Sequence, residues 1–226
     1  MNMLRAIDLL KQDIKAKEDK YKIHMNDELF YNYGPLIPNR LIHIYGEPDC
    51  GKTTIAMDII EENYLKSFVY MNKNPDNIMK MRKFKNCTIF NSNVFETTLL
   101  YLKTLEPSLV DFVIIDDIQN MLSQEELNSA FSKRLDEREL LNKYIKQLSI
   151  VAVQKKFNII IFNGINGVTG KSRYGYIIEK EAIATFKIEK GYRTYDKLIL
   201  KVIPEKNIMN DIKDIAVIEI PMKGRR

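Results

Sequence analysis

The sequence has few of the residues that build disulfide frameworks or metal sites. Its 226 residues include two cysteines, Cys50 and Cys87, and two histidines, and these do not have the spacing of metal ligands. No apolar run approaches the roughly 18 residues that a membrane span needs, and the first residues carry too much charge for a secretory signal. These absences predict a soluble protein of a reducing compartment, the cytoplasm, without a membrane partner.

Charge of one sign is only mildly in excess. The chain has 35 Lys and Arg residues and 30 Asp and Glu residues, which gives a formal net charge of +5. This excess is compatible with a polyanionic partner but does not require one. Hydrophobic residues make up 45% of the chain and charged residues 29%, the balance of a globular protein that can bury a core without disulfides.

The order of apolar and amphipathic segments predicts an α/β fold. Strands are predicted at 40–45, 67–71, 87–90, 110–115 and 158–162, and they alternate with helices at 52–65, 95–105 and 129–156. Three further strands follow with few helices between them, at 182–189, 197–203 and 215–220. Strands that alternate with helices favour a mostly parallel central sheet flanked by helices, and the last segments predict a β-rich C-terminal extension of that sheet.

The motif with the most chemical information lies between the first strand and the first helix. Residues 46–53 read Gly-Glu-Pro-Asp-Cys-Gly-Lys-Thr, the Gly-x-x-x-x-Gly-Lys-Thr pattern of a phosphate loop (Walker A). Its glycines let backbone N–H groups turn toward phosphate oxygens, and the following helix adds the positive end of its dipole. Lys52 is expected to reach the β- and γ-phosphates, and the Thr53 hydroxyl to ligate Mg²⁺. The candidate nucleotide-binding residues are Gly46, Glu47, Pro48, Asp49, Cys50, Gly51, Lys52, Thr53 and Thr54.

A second motif supplies a carboxylate for the metal. The segment Val113-Ile-Ile-Asp116-Asp117 is an apolar strand that ends in two acids. An acid at the end of a buried strand near a phosphate loop is the usual position of the Walker B carboxylate, which holds the magnesium shell. Thr53 and Asp116 are therefore the predicted metal ligands, and ATP and Mg²⁺ the predicted cofactors.

The whole chain resembles the RecA/RadA recombinase core, a family of P-loop ATPases. Residues 40–54 are similar to that family's first strand and phosphate loop, and residues 159–164 to its apolar strand before a glycine-rich DNA-binding loop. The resemblance implies a RecA-like ATPase core over 31–226, and an N-terminal amphipathic helix and linker over 1–30 that contacts a neighbouring subunit. It further implies single-stranded DNA as a partner, self-association into a filament or ring, and a role in recombination or repair near the nucleoid. Within the family the chain resembles a short, diverged member, of a phage type or a paralog.

The glycine-rich segment from Gly164 to Tyr176 is the candidate DNA contact that this resemblance implies. Lys171 and Arg173 could bind phosphates, and Tyr174 and Tyr176 could stack on bases. The same composition is also compatible with a solvated surface loop.

Two departures from the family pattern weaken the expectation of fast hydrolysis. The family has a catalytic glutamate just after the second strand, where this chain has Asn74, an amide that cannot act as a base. Asp76 and Asp117 are the alternative candidates, and together with Lys52 they form the predicted catalytic set. Gly164 stands where the family has a glutamine that senses the γ-phosphate. We therefore expect an ATPase of low turnover.

Two other functions remain open on the sequence alone. The segment around Asp116-Asp117-Ile-Gln resembles locally the Walker B segment of DnaA-type AAA+ initiators and helicase loaders, a class that should continue into a helical lid. A non-catalytic assembly subunit, which binds nucleotide for structural reasons only, is the other alternative.

Overall fold

The computed structural model describes residues 40–91, 94–107, 109–121, 137–194, 197–207 and 216–221. The N-terminal helix predicted within residues 1–30 lies outside the described residues, as does the first part of the helix predicted over 129–156.

Within the described residues, eight strands form one sheet. They are β1 (Leu41–Gly46), β2 (Phe68–Met71), β3 (Cys87–Phe90), β4 (Phe112–Ile115), β5 (Asn158–Asn163), β6 (Ala182–Arg193), β7 (Lys197–Asn207) and β8 (Ala216–Pro221). The helices of these ranges are α1 (Lys52–Glu62), α2 (Pro75–Met81), α3 (Phe95–Thr104), α4 (Glu137–Lys155) and α5 (Gly175–Glu181), with a 3₁₀ turn at Ile118–Met121. None of these helices is both long and apolar enough to cross a membrane.

The strand order is β3-β2-β4-β5-β1-β6-β7-β8. Strands β1 to β6 pair in parallel, and β7 and β8 continue the sheet in antiparallel pairs. The predicted α/β class, the mostly parallel sheet and the β-rich C-terminal part are therefore confirmed. One detail of the order was not predicted: β5 lies between β1 and β4, so the two strands that carry the nucleotide motifs are not neighbours.

Helices cover both faces of the sheet because side chains alternate along each strand. Ile42 and Ile44 of β1 point to the face on which α1 packs through Ile55 and Ile59. Leu41 points to the other face, which α3, α4 and α5 cover. Strands β4 and β5 are buried along their whole length, and each fully buried Ile or Phe contributes roughly 1.5–3 kcal/mol of apolar transfer free energy.

Two short helices and one helix end differ from the predicted boundaries. Helix α2 was not predicted, although Asn74 followed by Pro75 is a typical N-cap and first position, and the Asn74 Oδ1 accepts the Asp76 N–H at 2.9 Å. Helix α5 begins at Gly175, inside the segment predicted as a DNA-binding loop. Helix α1 ends at Glu62 instead of residue 65, because the backbone of Asn63 leaves the helical conformation (φ −107°, ψ 47°). The side-chain amide of Asn63 donates to the Ile59 carbonyl at 2.7 Å and caps this end.

Candidate functional site

The candidate functional residues meet at one edge of the sheet. Because β1, β2, β4 and β5 are parallel, their carboxyl ends share that edge, where ligands of open α/β sheets bind. The phosphate loop follows β1, Asn72 follows β2, Asp116 follows β4, and residues 164–174, here called the β5 loop, follow β5.

The phosphate loop has a backbone that only its two glycines allow. A Cβ on Gly46 would lie 2.5 Å from the Ile188 carbonyl oxygen and 2.6 Å from the Cys50 Sγ. Gly51 has φ +102°, in the left-handed region that favours glycine. Asp49 also has a positive φ of 58°. The chain therefore turns tightly over β6 before it enters α1.

The first turn of α1 is open to an anion. Gly51 is its N-cap and provides no side-chain cap, and the first turn contains no acidic residue. The first N–H groups of a helix have no acceptor within the helix, and they carry its positive partial charge. Glu47, Pro48 and Asp49 are exposed on the outer part of the loop, and Thr54 is half-buried in this first turn.

Lys52 folds back over the phosphate loop. Its Nζ donates to the carbonyl oxygens of Gly46, at 2.9 Å, and Glu47, at 2.6 Å. Cys50 is buried beneath the loop, and burial raises the pKa of its thiol. Cys50 therefore fills space beneath the loop as a protonated thiol.

Asp116 is the centre of a hydrogen-bond cluster. Its side chain is only 4% exposed, and its Oδ2 accepts the Thr53 hydroxyl at 2.9 Å and the Tyr70 hydroxyl at 2.6 Å. The Asn72 Nδ2 lies 3.3 Å from the same oxygen and 2.9 Å from the Tyr70 hydroxyl oxygen. Burial and then the Asp116 charge raise the pKa of Tyr70 well above its usual value, so Tyr70 remains a donor.

The structure thus brings together the two residues predicted to hold the metal. A threonine hydroxyl and a carboxylate are hard oxygen ligands, the kind that Mg²⁺ prefers, and Mg²⁺ usually takes one or two protein oxygens and fills its other positions with water and phosphate. The described residues contain no group of three or more His, Cys, Asp or Glu side chains that could hold a metal. The pair Thr53 and Asp116 fits a cation that arrives with a phosphate ligand.

The predicted catalytic acids lie at different places. Asp117 is half-buried directly after Asp116, at the end of β4. Asp76 is exposed in the first turn of α2, and Asn74 is the cap of that helix. Asn72, directly after β2, is the residue of this segment that belongs to the Asp116 cluster. Its Oδ1 accepts the Asn74 N–H at 2.6 Å.

Sequence reasoning missed Tyr70 and Asn72 as parts of this cluster. The register of β2 and β4 pairs Tyr70 with Ile114 and Met71 with Ile115, so Asn72 falls opposite Asp116. Their two-residue spacing, along β2 and the residue that extends it, places both side chains on one face. That spacing is visible in the sequence, but the pairing of β2 with β4 is not.

The β5 loop is a closed turn rather than an open glycine linker. Ile165 and Ser172 form an isolated antiparallel bridge, and the Asn166 N–H donates to the Lys171 carbonyl at 2.8 Å. The Asn166 Oδ1 accepts the Val168 N–H, and the Gly170 N–H donates to the Asn166 carbonyl. The tip is nevertheless open to solvent, since Val168 is 95% exposed.

The four predicted DNA-binding residues lie on or directly after this loop. Lys171, Arg173 and Tyr176 are exposed, and Tyr174 is half-buried, with the Arg173 guanidinium 5.3 Å from its ring centre. A cavity of about 1090 Å³ opens beside them. Its lining includes all four of these residues together with Arg138, Tyr45 and Glu205.

The lining of this cavity also includes acidic groups. The Tyr45 hydroxyl donates to the Glu205 Oε1 at 2.5 Å, which holds the ring in place as a packing group. Burial, followed by this hydrogen bond, raises the pKa of Tyr45. Glu179 of α5 also lines the cavity, and burial, with the Glu205 charge, raises the pKa of its carboxyl. The lining therefore combines basic side chains of the β5 loop with the carboxyls of Glu179 and Glu205.

Neither the models of known protein families nor the curated protein sequences match this chain. The function must therefore be inferred from the residues and their geometry.

Proposed function

We propose that the protein binds ATP and Mg²⁺ at the phosphate loop. The observation that carries the proposal is the 2.9 Å hydrogen bond between the Thr53 hydroxyl and Asp116. In P-loop ATPases the same two types of residue, a phosphate-loop Ser or Thr and a Walker B Asp, hold the metal on the triphosphate. A glycine turn that only connects a strand to a helix would not need a threonine beside the buried Asp116. That carboxylate follows β4, which is the second strand from β1 in the sheet.

Lys52 supplies the positive charge for the phosphates. In the structure its ammonium is bound to two loop carbonyls, 2.9 and 2.6 Å away, so it is already at the mouth of the loop. A small rotation exchanges one of these carbonyls for a phosphate oxygen. The uncapped first turn of α1 adds N–H donors for the same anion.

We further propose that hydrolysis is slow. The amide of Asn72, which cannot accept a proton from water, fills the position beside Asp116 where β2 ends. Asp117 and Asp76 are the remaining carboxylates for this role. Loss of a general base typically lowers a rate by about 10²- to 10⁴-fold, so we expect binding with low turnover.

A RecA-like role on single-stranded DNA is the wider proposal. Among the described residues after β5, the structure has three strands, β6 to β8, and one helix, the seven-residue α5. This supports the recombinase resemblance over the AAA+ alternative, which predicts a helical lid. The β5 loop leaves the sheet at the same edge as the phosphate loop, and it carries Lys171 and Arg173 beside two tyrosines. Self-association into a filament or ring belongs to the same proposal.

Binding of a fluorescent ATP analogue, with and without Mg²⁺, tests the nucleotide site. We expect Lys52→Ala to weaken binding by roughly 10- to 100-fold, the usual effect of losing hydrogen bonds to a charged group. Lys103→Ala is the control, because Lys103 is exposed at the end of α3, near the opposite edge of the sheet. Equal weakening by both variants, or no binding by the native protein, would refute the nucleotide site.

Gel-shift titration of single-stranded DNA tests the wider role. We expect a non-hydrolysable ATP analogue to increase DNA affinity in the native protein and to have no effect in Lys52→Ala. The same affinity with and without the analogue would count against a RecA-like mechanism. Steady hydrolysis that Lys52→Ala abolishes would exclude the non-catalytic assembly subunit.

A further inference from the structure

His43 is a buried polar residue that the nucleotide site does not use. It lies in β1, three residues before Gly46, between Ile161 of β5 and Thr185 of β6. Its side chain is 0% exposed, and it points to the face of the sheet that α4 and α5 cover, as does Leu41. Its Nε2 lies 3.2 Å from the Ser172 hydroxyl oxygen, near the end of the β5 loop.

The surroundings of the imidazole favour a neutral ring that donates to Ser172. Burial lowers the pKa of His43 to about 3, so the ring carries one proton at neutral pH. The Nδ1 is buried and has no hydrogen-bond partner among the described residues. An unpaired buried acceptor is tolerated better than an unpaired buried N–H, which places the proton on Nε2, directed at the Ser172 oxygen.

Ser172 is the junction between the β5 loop and α5. Its hydroxyl oxygen also accepts the Asn163 Nδ2 at 3.0 Å, and the same amide donates to the Arg173 carbonyl at 2.5 Å. Its carbonyl accepts the Gly175 N–H, where α5 begins. A Cβ on Gly175 would lie 2.6 Å from the Ser172 Cβ, so a residue larger than glycine would not fit at this junction.

We infer that His43 is a positioning residue, which fixes the root of the β5 loop to the strand that leads into the phosphate loop. Strand β1 then holds both loops, one through its chain continuity with Gly46 and the other through the His43–Ser172 hydrogen bond. Gly164 stands where the resemblance expects a glutamine that links the nucleotide to the DNA loop. The His43–Ser172 contact provides a link of a different kind, at the far end of the same loop. The inference deepens the proposed function. Only the test that measures DNA binding depends on that function; the positioning role of His43 does not.

Hydrogen exchange of loop amides in the full-length chain tests the positioning role. The Arg173 N–H, which donates to the Gly164 carbonyl at 3.0 Å, is the most informative amide. We expect Ser172→Ala and His43→Leu to increase its exchange rate roughly three- to tenfold, the factor for one lost hydrogen bond. His43→Gln keeps an N–H donor near the Nε2 position and should restore near-native exchange. Ser149→Ala, a serine change within α4, is the control.

The results distinguish positioning from general destabilisation. If His43→Leu fails to fold, Ser172→Ala alone decides, since Ser172 is only half-buried. Native exchange in Ser172→Ala would overturn the inference, and so would equal acceleration in Ser149→Ala. Exchange in His43→Gln as fast as in His43→Leu would also overturn it, because the donor would then have no role.

A second readout tests the link to the nucleotide. We expect Ser172→Ala to bind the fluorescent ATP analogue with native affinity. The analogue should still increase the DNA affinity of this variant, but by a factor several-fold smaller than in the native protein. By thermodynamic reciprocity, DNA should then also increase ATP affinity less in this variant. An unchanged factor would overturn the link between the loops. If the native protein binds no DNA, the proposed DNA role fails, and the exchange rates still decide whether His43 positions the loop.

Discussion

The phosphate loop and the β5 loop leave the same edge of the sheet but are held in different ways. The phosphate loop is fixed by backbone shape, since Gly46 has no room for a Cβ against β6 and Gly51 requires a positive φ. The β5 loop is fixed at its root by side chains, through Asn163 and the His43–Ser172 contact, and its tip is exposed.

This difference separates two kinds of chemistry. A site that receives a triphosphate and a metal gains from a backbone that does not rearrange, because its N–H groups must already face the ligand. A contact for a flexible polymer gains from exposed basic and aromatic groups on a rigid root. The comparison can be tested one interaction at a time, beginning with the backbone.

The largest expected effect comes from adding a methyl group to a glycine of each loop. Gly46→Ala should destabilise the fold by about 3 kcal/mol, because the new Cβ would lie 2.5 Å from a backbone carbonyl oxygen. Gly167→Ala should change stability by no more than about 0.5 kcal/mol, since nothing lies within 4 Å of the Cβ that the substitution adds. Urea unfolding of both variants measures the difference. Similar losses in both would show that the two loops are held alike.

Acid should lower the stability of the fold through His43, which forms the anchor at the root of the β5 loop. Below pH 6.5 the unfolded chain protonates His43, whereas the folded chain does so only near pH 3, because burial lowers this pKa. Stability should therefore fall as the pH drops through this window, by about 2 kcal/mol between pH 7 and pH 5 from this residue. Urea unfolding of the native protein and of His43→Gln at both pH values measures it, and the variant should lose about 2 kcal/mol less. Parallel losses would contradict the buried neutral imidazole.

Magnesium binding at the proposed nucleotide site should depend on the charge of Asp116. Asp116→Asn keeps an oxygen acceptor for Thr53 and Tyr70, so the fold should persist. It removes the negative charge, and the gain in nucleotide affinity on adding Mg²⁺ should fall by about tenfold, or roughly 1.4 kcal/mol. Titration of the fluorescent ATP analogue measures this gain. Asp111→Asn is the matched control, because Asp111 accepts the Ser67 N–H at the opposite edge of the sheet, and an equal loss there would remove the role of Asp116.

The smallest expected effect concerns the basic tip of the β5 loop. Each lysine or arginine that neutralises a DNA phosphate contributes about 0.7 to the salt slope on a single strand. Lys171→Ala and Arg173→Ala should each lower the slope of log affinity against log salt concentration by about this amount. Between 50 and 200 mM salt, each variant should then lose roughly threefold less affinity than the native protein. Fluorescence anisotropy with labelled DNA measures the slope, with Lys103→Ala as the control. Unchanged slopes in both loop variants would favour a solvated surface loop.

The sequence predicted the parts of the site that follow from local pattern. Gly46, Lys52 and Thr53 belong to a contiguous motif, and the apolar run before Asp116 shows that this carboxylate ends a buried strand. The chain-order alternation of strands and helices likewise predicted the parallel sheet.

The remaining parts of the site depend on which strands become neighbours. Tyr70 and Asn72 reach Asp116 only because β2 pairs with β4, and His43 reaches Ser172 only because β1 lies beside β5. Contacts between residues more than 40 positions apart in the chain leave no signal in a single sequence. The short helices were missed for another reason, since seven residues give too few turns for a clear apolar period.

The insertion of β5 between β1 and β4 has a consequence for how this protein can diverge. Two inter-strand spacings of about 4.8 Å separate the motif-bearing strands, and Thr53, at the start of a helix, crosses that gap. The connection that follows β5 is therefore not part of the bridge between hydroxyl and carboxylate. Substitutions or changes of length there can alter the exposed surface of the β5 loop while the contact between Thr53 and Asp116 is inherited unchanged.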